Sequence, residues 1–315
     1  MNNVERIQAV IKGEPVDYVP AGFWFHYSSD YTVEEMIDAH MKLYNETGMD
    51  IIKIMQDYSY PISGKITCAQ DWYNIKIKGV DSEEFEKMAA VIKGIRARAG
   101  EDVLLIQTMF GPFKAASIAF GEDVLMKYSK EAPEAVIAGI KIIADGLEQW
   151  AKGYLEVGAD GIYYSAQYGE LGRFTKKEWE ELVKPFDIQV LNVAKQTDGK
   201  YNILHICGEP EYDFETHIDR FGDYPADLVN WSVKDNGYSL ERGRDFFHAG
   251  ILGGMDNKGN VLKGPKEKIE EEVKSILDRF GTTGIMIGAD CTIQGENISL
   301  DYIKAAVDAA HNYHK

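Results

Sequence analysis

Short apolar runs recur along this chain, and several are followed by stretches in which apolar residues return every three or four positions. The runs are Val19–Tyr27, Ile51–Tyr58, Val103–Phe110, Gly161–Ala166, Tyr201–Cys207, Leu228–Val233, Gly250–Met255 and Gly284–Ala289. Of the amphipathic stretches, the clearest begins after Pro265. Ile269, Val273, Ile276, Leu277 and Phe280 trace one helical face there, and Gly281 supplies the stop. Trp179, Leu182, Val183 and Phe186 mark another helix. Alternating strand and helix signals predict parallel strands joined by helical crossovers. Eight of them predict an α/β fold, a single (β/α)8 TIM barrel, with its working surface at the C-terminal strand ends. No linker or shift in composition divides the chain, so residues 1–315 read as one domain.

Two of those strand ends carry metal-loving side chains. The fifth run closes on His205-Ile-Cys207, and extended-chain alternation turns both side chains to the same face. The eighth run is followed at once by Asp290-Cys291. A closed barrel would bring Cys291 to the same cavity despite the distance along the chain. Two thiolates and an imidazole suit Zn²⁺, and three protein ligands leave a fourth position open, the catalytic pattern. Glu209 and Asp290 are the neighbouring carboxylates able to reach that position. Taken singly, a strand histidine reads as hydrogen-bonded packing and a cysteine as a core residue. Their convergence is what makes a site. Cys68 lies outside every predicted strand and reads as a bystander.

Composition narrows the classes. The chain has 315 residues, 45% hydrophobic and 27% charged, with a formal charge of −17. That charge disfavours nucleic acid, whose binding needs clustered lysine and arginine. No apolar run reaches the length of about 18 residues that a membrane span needs. Three cysteines are too few for a disulfide framework, and the start, Met1-Asn-Asn-Val-Glu-Arg6, lacks the pattern of a secretory signal. The expectation is a cytoplasmic protein with no membrane or nucleic-acid partner.

Further motifs carry a resemblance. They are Gly13-Glu-Pro-Val-Asp-Tyr-Val-Pro20, Gly111-Pro-Phe113, Asn230-Trp-Ser-Val-Lys-Asp235, Gly253-Gly-Met-Asp256 and Gly264 ahead of an acidic helix. Together they resemble the uroporphyrinogen decarboxylase superfamily from end to end. The decarboxylases proper follow the early proline with arginines that hold the carboxylates of a tetrapyrrole. Here that segment reads Ala21-Gly-Phe-Trp-Phe-His-Tyr-Ser-Ser-Asp30, and no arginine occurs between Arg6 and Arg96. A multiply anionic substrate would lose its bidentate partners.

The His-x-Cys pair with a distant cysteine is similar instead to the superfamily's zinc-containing corrinoid-dependent methyltransferases, of the methylcobamide:coenzyme M type. The resemblance implies zinc ligands at His205, Cys207 and Cys291. It also implies a corrinoid (cobalamin) carried by a partner protein, and methyl transfer to a small zinc-activated thiol acceptor. Asp57 falls on the decarboxylases' catalytic aspartate, although an aspartate at a strand end can equally cap a turn. His26, Tyr164, Gln167 and Asp256 are the residues expected to bind substrate around the mouth. Two alternatives stand beside this one. The first is transfer from a methoxylated or methylthiol donor to the corrinoid, and the second is metal-free decarboxylation of a porphyrinogen or smaller acid.

Overall fold

A computed structural model of the chain describes residues 1–295 and 298–314. Its strands are β1 (Ala21–Gly22), β2 (Ile51–Ile54), β3 (Ile62–Ser63), β4 (Lys76–Ile77), β5 (Leu104–Phe110), β6 (Gly161–Ala166), β7 (Tyr201–Ile206), β8 (Leu228–Trp231), β9 (Gly250–Met255) and β10 (Ile285–Ala289). Eight of these form one parallel sheet in the order β1-β10-β9-β8-β7-β6-β5-β2. At the seam between its edges, Asp50 donates its backbone N–H to the Ala21 carbonyl at 2.9 Å. The Asp50 carboxylate accepts the Ala21 N–H at 2.8 Å, so the sheet curls into a nearly closed (β/α)8 barrel.

Two expected strands are shorter than their apolar runs, because side chains take over from the ladder. The Met55 N–H donates to His40 Nε2 at 3.1 Å, which ends β2 at Ile54. The Tyr27 N–H donates to Asp57 at 2.9 Å, and Phe25 keeps only an isolated bridge to Ile293. Between β2 and β5 the chain also inserts a two-stranded antiparallel ribbon, β3 with β4, and a 3-10 turn at Ala69–Asn74, neither of which the periodicity announced. The helix after Pro265 runs Lys266–Phe280 with the five expected residues buried. The other expected helix is two, Lys176–Leu182 and Lys184–Lys195, because Pro185 lacks the N–H that would continue the first and instead opens the second.

Alternation along the strands sorts side chains into two cores. Inside the barrel lie Trp24, Ile51, Met55, Leu104, Ile106, Tyr163, Ile203, Leu228, Leu252 and Met286. Ile7 and Val10 of the Asn3–Lys12 helix join them, so that helix plugs the end opposite the mouth. Outside, Ile52, Ile54, Leu105, Ile162, Leu204, Val229 and Ile285 pack against the helices. Each such side chain, fully buried, is worth about 1.5–3 kcal/mol. Tyr164 belongs to the outer core and corrects one expectation. It points away from the mouth, and its hydroxyl donates to Asp187 at 2.6 Å between the barrel wall and the helices. Tyr163, one residue earlier, is the one that faces inward. Among the described residues no helix is long and apolar enough to cross a membrane.

Asp50 also ties the closed end together. Beyond Ala21 it receives Arg6 Nη1 at 3.2 Å, the Tyr18 hydroxyl at 3.2 Å and His311 Nε2 at 2.8 Å. An Asp50→Ala variant takes one carboxylate from a guanidinium left with that of Asp17, and it leaves the Ala21 N–H at the seam without its acceptor, so urea denaturation should show a loss of about 3 kcal/mol. Asp187 supplies a pH test. Burial pushes its carboxyl up to about 7 from 3.8, against the pull of hydrogen bonds from Tyr164 and Tyr224. A raised folded-state value means that the stability tied to the protonated form is fully present below the unfolded value. It is lost as the pH climbs toward the folded one. Relative to an Asp187→Asn variant, the wild type should lose stability between pH 4 and 7, by up to about 1.4 kcal/mol per pH unit, as followed by urea titrations.

Candidate metal centre

As the fifth residue of β7, His205 points inward, on the same side as Ile203. The ladder continues past the strand, since the Cys207 N–H donates to the Ala166 carbonyl at 2.9 Å. Across the mouth, the Asp290 N–H donates to the Met255 carbonyl at 2.8 Å and delivers Cys291 in the same manner. The ligand atoms of His205, Cys207 and Cys291 all lie within 4.8 Å of one another, and Cys291 Sγ is 3.4 Å from His205 Nε2.

Asn230, inside β8, decides which imidazole nitrogen faces the sulfurs. Its amide nitrogen donates to the backbone carbonyls of Leu252 at 2.7 Å and Ala289 at 3.0 Å. Only an N–H can satisfy two carbonyls, so the amide oxygen must point the other way. That oxygen lies 2.5 Å from His205 Nδ1, which therefore carries the proton. Nε2 is left with its lone pair toward the two sulfurs, the orienting arrangement found behind metal-bound histidines. The Tyr163 hydroxyl donates to the same oxygen at 3.1 Å, and its ring stacks on the imidazole with centroids 5.6 Å apart.

The two cysteines hold their protons unequally. Cys207 is pushed well above its usual value, first by hydrogen bonding to Cys291 and then by burial. Cys291 is drawn down by the same bond and by His205, against burial. A soft cation held between two sulfurs and a nitrogen would displace the thiol protons, and this donor set fits zinc. A cavity of about 280 Å³ opens over the three residues, with Phe214, Asp235 and Lys258 among its walls. Phe214 holds a left-handed backbone, φ 62°, above Gly208, where any Cβ would come 2.2 Å from the Phe214 carbonyl. Lys258 Nζ sits 3.6 Å over the Phe214 ring and 2.8 Å from Asp235.

The other expected residues are less concentrated. Asp57 meets His26, Oδ1 to Nδ1 at 2.6 Å, beside a second cavity of about 380 Å³ over the ends of β2 and β5. With its other oxygen on the Tyr27 N–H, Asp57 caps the loop after β1. Gln167 donates to Glu209 at 2.8 Å and Asp256 accepts from Lys234 at 2.6 Å, and neither lines the metal-side cavity. Tyr164 is outside the barrel wall altogether. Glu209 is engaged by Lys114 at 2.8 Å. Asp290 spends both oxygens on the N–H groups of Val233 and Gly254, while burial pushes it up to about 8. Both carboxylates therefore have partners other than an ion. Cys68 is exposed on the insertion after β2. Sequence reasoning missed the part played by Asn230, and it missed Lys53, a charge inside the apolar run Ile51-Ile-Lys-Ile54 that the binary pattern alone could have flagged.

The uroporphyrinogen decarboxylase (URO-D) profile matches residues 43–313. The chain belongs to that family. Among URO-D relatives, a methylcobamide:CoM methyltransferase, MtbA, of Methanosarcina mazei is 25% identical over 248 residues, covering 78% of this chain and 68% of that protein. A second, MtaA of Methanosarcina barkeri, is 23% identical over 231 residues, covering 71% and 62%. The chain thus matches about two thirds of each relative's length. A solved methyltransferase from Methanosarcina mazei superposes with a TM-score of 0.77 at 19% identity, over 98% of both chains. A B12-independent methionine synthase from Shewanella gives 0.60 at 12% identity, over 93% and 94%. These two structures share the fold of this URO-D protein.

Replacing Asn230 by leucine removes the acceptor that fixes the imidazole. Affinity for zinc, read by chelator competition, should fall by about 10- to 100-fold while the circular dichroism stays that of the wild type.

Proposed function

We propose that the chain is a zinc-dependent methyltransferase that moves a methyl group between a corrinoid on a partner protein and a small thiol. The observation that carries this reading is the convergence of His205 Nε2 with the sulfurs of Cys207 and Cys291, with the tautomer set by Asn230. The relatives' names, which pair a methylated cobamide with CoM, support both halves of the reaction. Bound there, zinc would supply one thing, acidification of a thiol so that its sulfur is anionic near neutral pH.

The rest falls to the chain. Two thiolate ligands offset a divalent charge and favour a soft sulfur ligand over a hard oxygen one. Stacking from Tyr163 and the bond from Asn230 hold the imidazole still. The Phe214 and Lys258 wall bounds the space beside the sulfurs, where a substrate is kept in one orientation. Asp57 and His26 hold the loop after β1 at the mouth, a positioning part and not a proton-transfer one. Among the described residues neither cavity is lined by an arginine, which counts against a carboxylated tetrapyrrole as the substrate.

The test begins with protein purified without chelator. Metal analysis should find about one zinc per chain, lost in His205→Ala and in Cys291→Ala. Zinc-loaded protein mixed with methylcobalamin and a thiol should then convert the methyl-Co(III) absorption to that of Co(I). A native protein that neither carries nor takes up zinc overturns the proposal.

A further inference from the structure

Lys53 is in the wrong place for an ordinary lysine. It sits in the middle of β2 with 6% of its surface exposed, and its side chain enters the barrel interior. Its Nζ lies 4.2 Å from the centre of the Tyr163 ring, 5.1 Å from that of Trp24 and 3.0 Å from Met55 Sδ. No carboxylate forms an ion pair with it among the described residues. Leaving a cation so placed costs several kcal/mol unless something nearby compensates it. What lies nearby is the donor set, because Tyr163 touches both Lys53 and His205.

We propose that Lys53 is the counter-charge of the metal centre, selecting ligands that bind as anions, thiols above all, and taking up the proton such a ligand gives up. This rests on the zinc and thiol reading above and adds to it. Two thiolates and a divalent ion sum to zero, and an anionic sulfur in the open position brings the centre to −1. An ammonium at Lys53 restores neutrality inside a low-dielectric barrel, where an uncompensated charge is expensive. The proton balance is simple. The thiol loses its S–H proton to solvent, the Lys53 amine takes one from solvent, and no other bond changes.

Burial lowers Lys53 to about 7, while Asp57, Cys291 and Cys207 pull it upward, so added negative charge above it favours protonation. The groups that face it are Asp57 at the end of β2, Tyr163 on β6, Cys207 and Cys291 at the mouth, and His40 of the Val33–Thr47 helix. Packing alone does not explain the residue, since a methionine would fill the same apolar space without a charge to desolvate.

The experiment is calorimetry on zinc-loaded protein at about pH 8, with 2-mercaptoethanol as the anionic-binding probe and imidazole as the neutral one. Runs in two buffers of different protonation heat count the protons released. The wild type should release well under one proton per thiol. Lys53→Met should release close to one, bind the thiol at least about tenfold more weakly, and bind imidazole unchanged. Lys53→Gln serves the same comparison if the methionine variant does not fold. Equal proton counts and equal thiol affinities in wild type and variant overturn the inference and leave the metal reading standing. A wild type that takes up no zinc overturns both.

Discussion

Two hydrogen bonds from the Asn230 amide nitrogen to strand carbonyls govern the chemistry above them. The acceptors belong to β9 and to the last residue of β10, so the amide is clamped by the barrel wall itself and cannot flip without losing both bonds. From that clamp the proton on His205 Nδ1, the free Nε2 and the direction of the donor set follow without further choice. The imidazole among the three candidate ligands thus depends on a neutral amide that spends its oxygen on the ring N–H. Its rigidity is that of three parallel strands, and each neighbour in the sheet holds the next.

The barrel divides its two ends between stability and chemistry. At the closed end, Asp50 gathers groups from the first helix, the loop before β1, β1 itself and the last helix, and the inner apolar layer is plugged by Ile7 and Val10. At the mouth the ladder gives way to side-chain bonds. His40 takes the Met55 N–H, Asp57 the Tyr27 N–H, and Asp290 those of Val233 and Gly254. Such substitutions free the backbone from strand geometry where loops must carry function. They also explain why the apolar runs Val19–Tyr27 and Ile51–Tyr58 outlast the strands they predict.

Much of this was legible in the sequence, for identifiable reasons. Eight apolar runs gave eight barrel strands because a strand buried on both faces needs an unbroken run, which βα alternation makes regular. The His-x-Cys spacing survived as a shared face because alternation in a strand is strict. The same double burial hid the phase. Tyr163 and Tyr164 are equally apolar in context, and nothing in the local pattern says which one enters the barrel, so Tyr164 was expected at the mouth and lies behind the wall bonded to Asp187. Pro185 was visible but its consequence, a broken helix, was not drawn from it. The clamp on Asn230 joins residues from three strands and has no signature in any one of them.

Charge gives the last step. The family's decarboxylase pattern places arginines where this chain has Ala21 to Asp30, and among the described residues neither cavity wall holds an arginine. The basic group that the barrel interior does hold is Lys53, beside the rings of Trp24 and Tyr163. A point charge behind a soft donor set does not grip a carboxylated ring in two places as a guanidinium does. It changes instead the cost of adding one negative charge to the centre. Under the proposed reading, the missing arginines and the buried lysine point to the same recognition, that of a small ligand that becomes anionic only on binding and not of a large polyanion held at its rim.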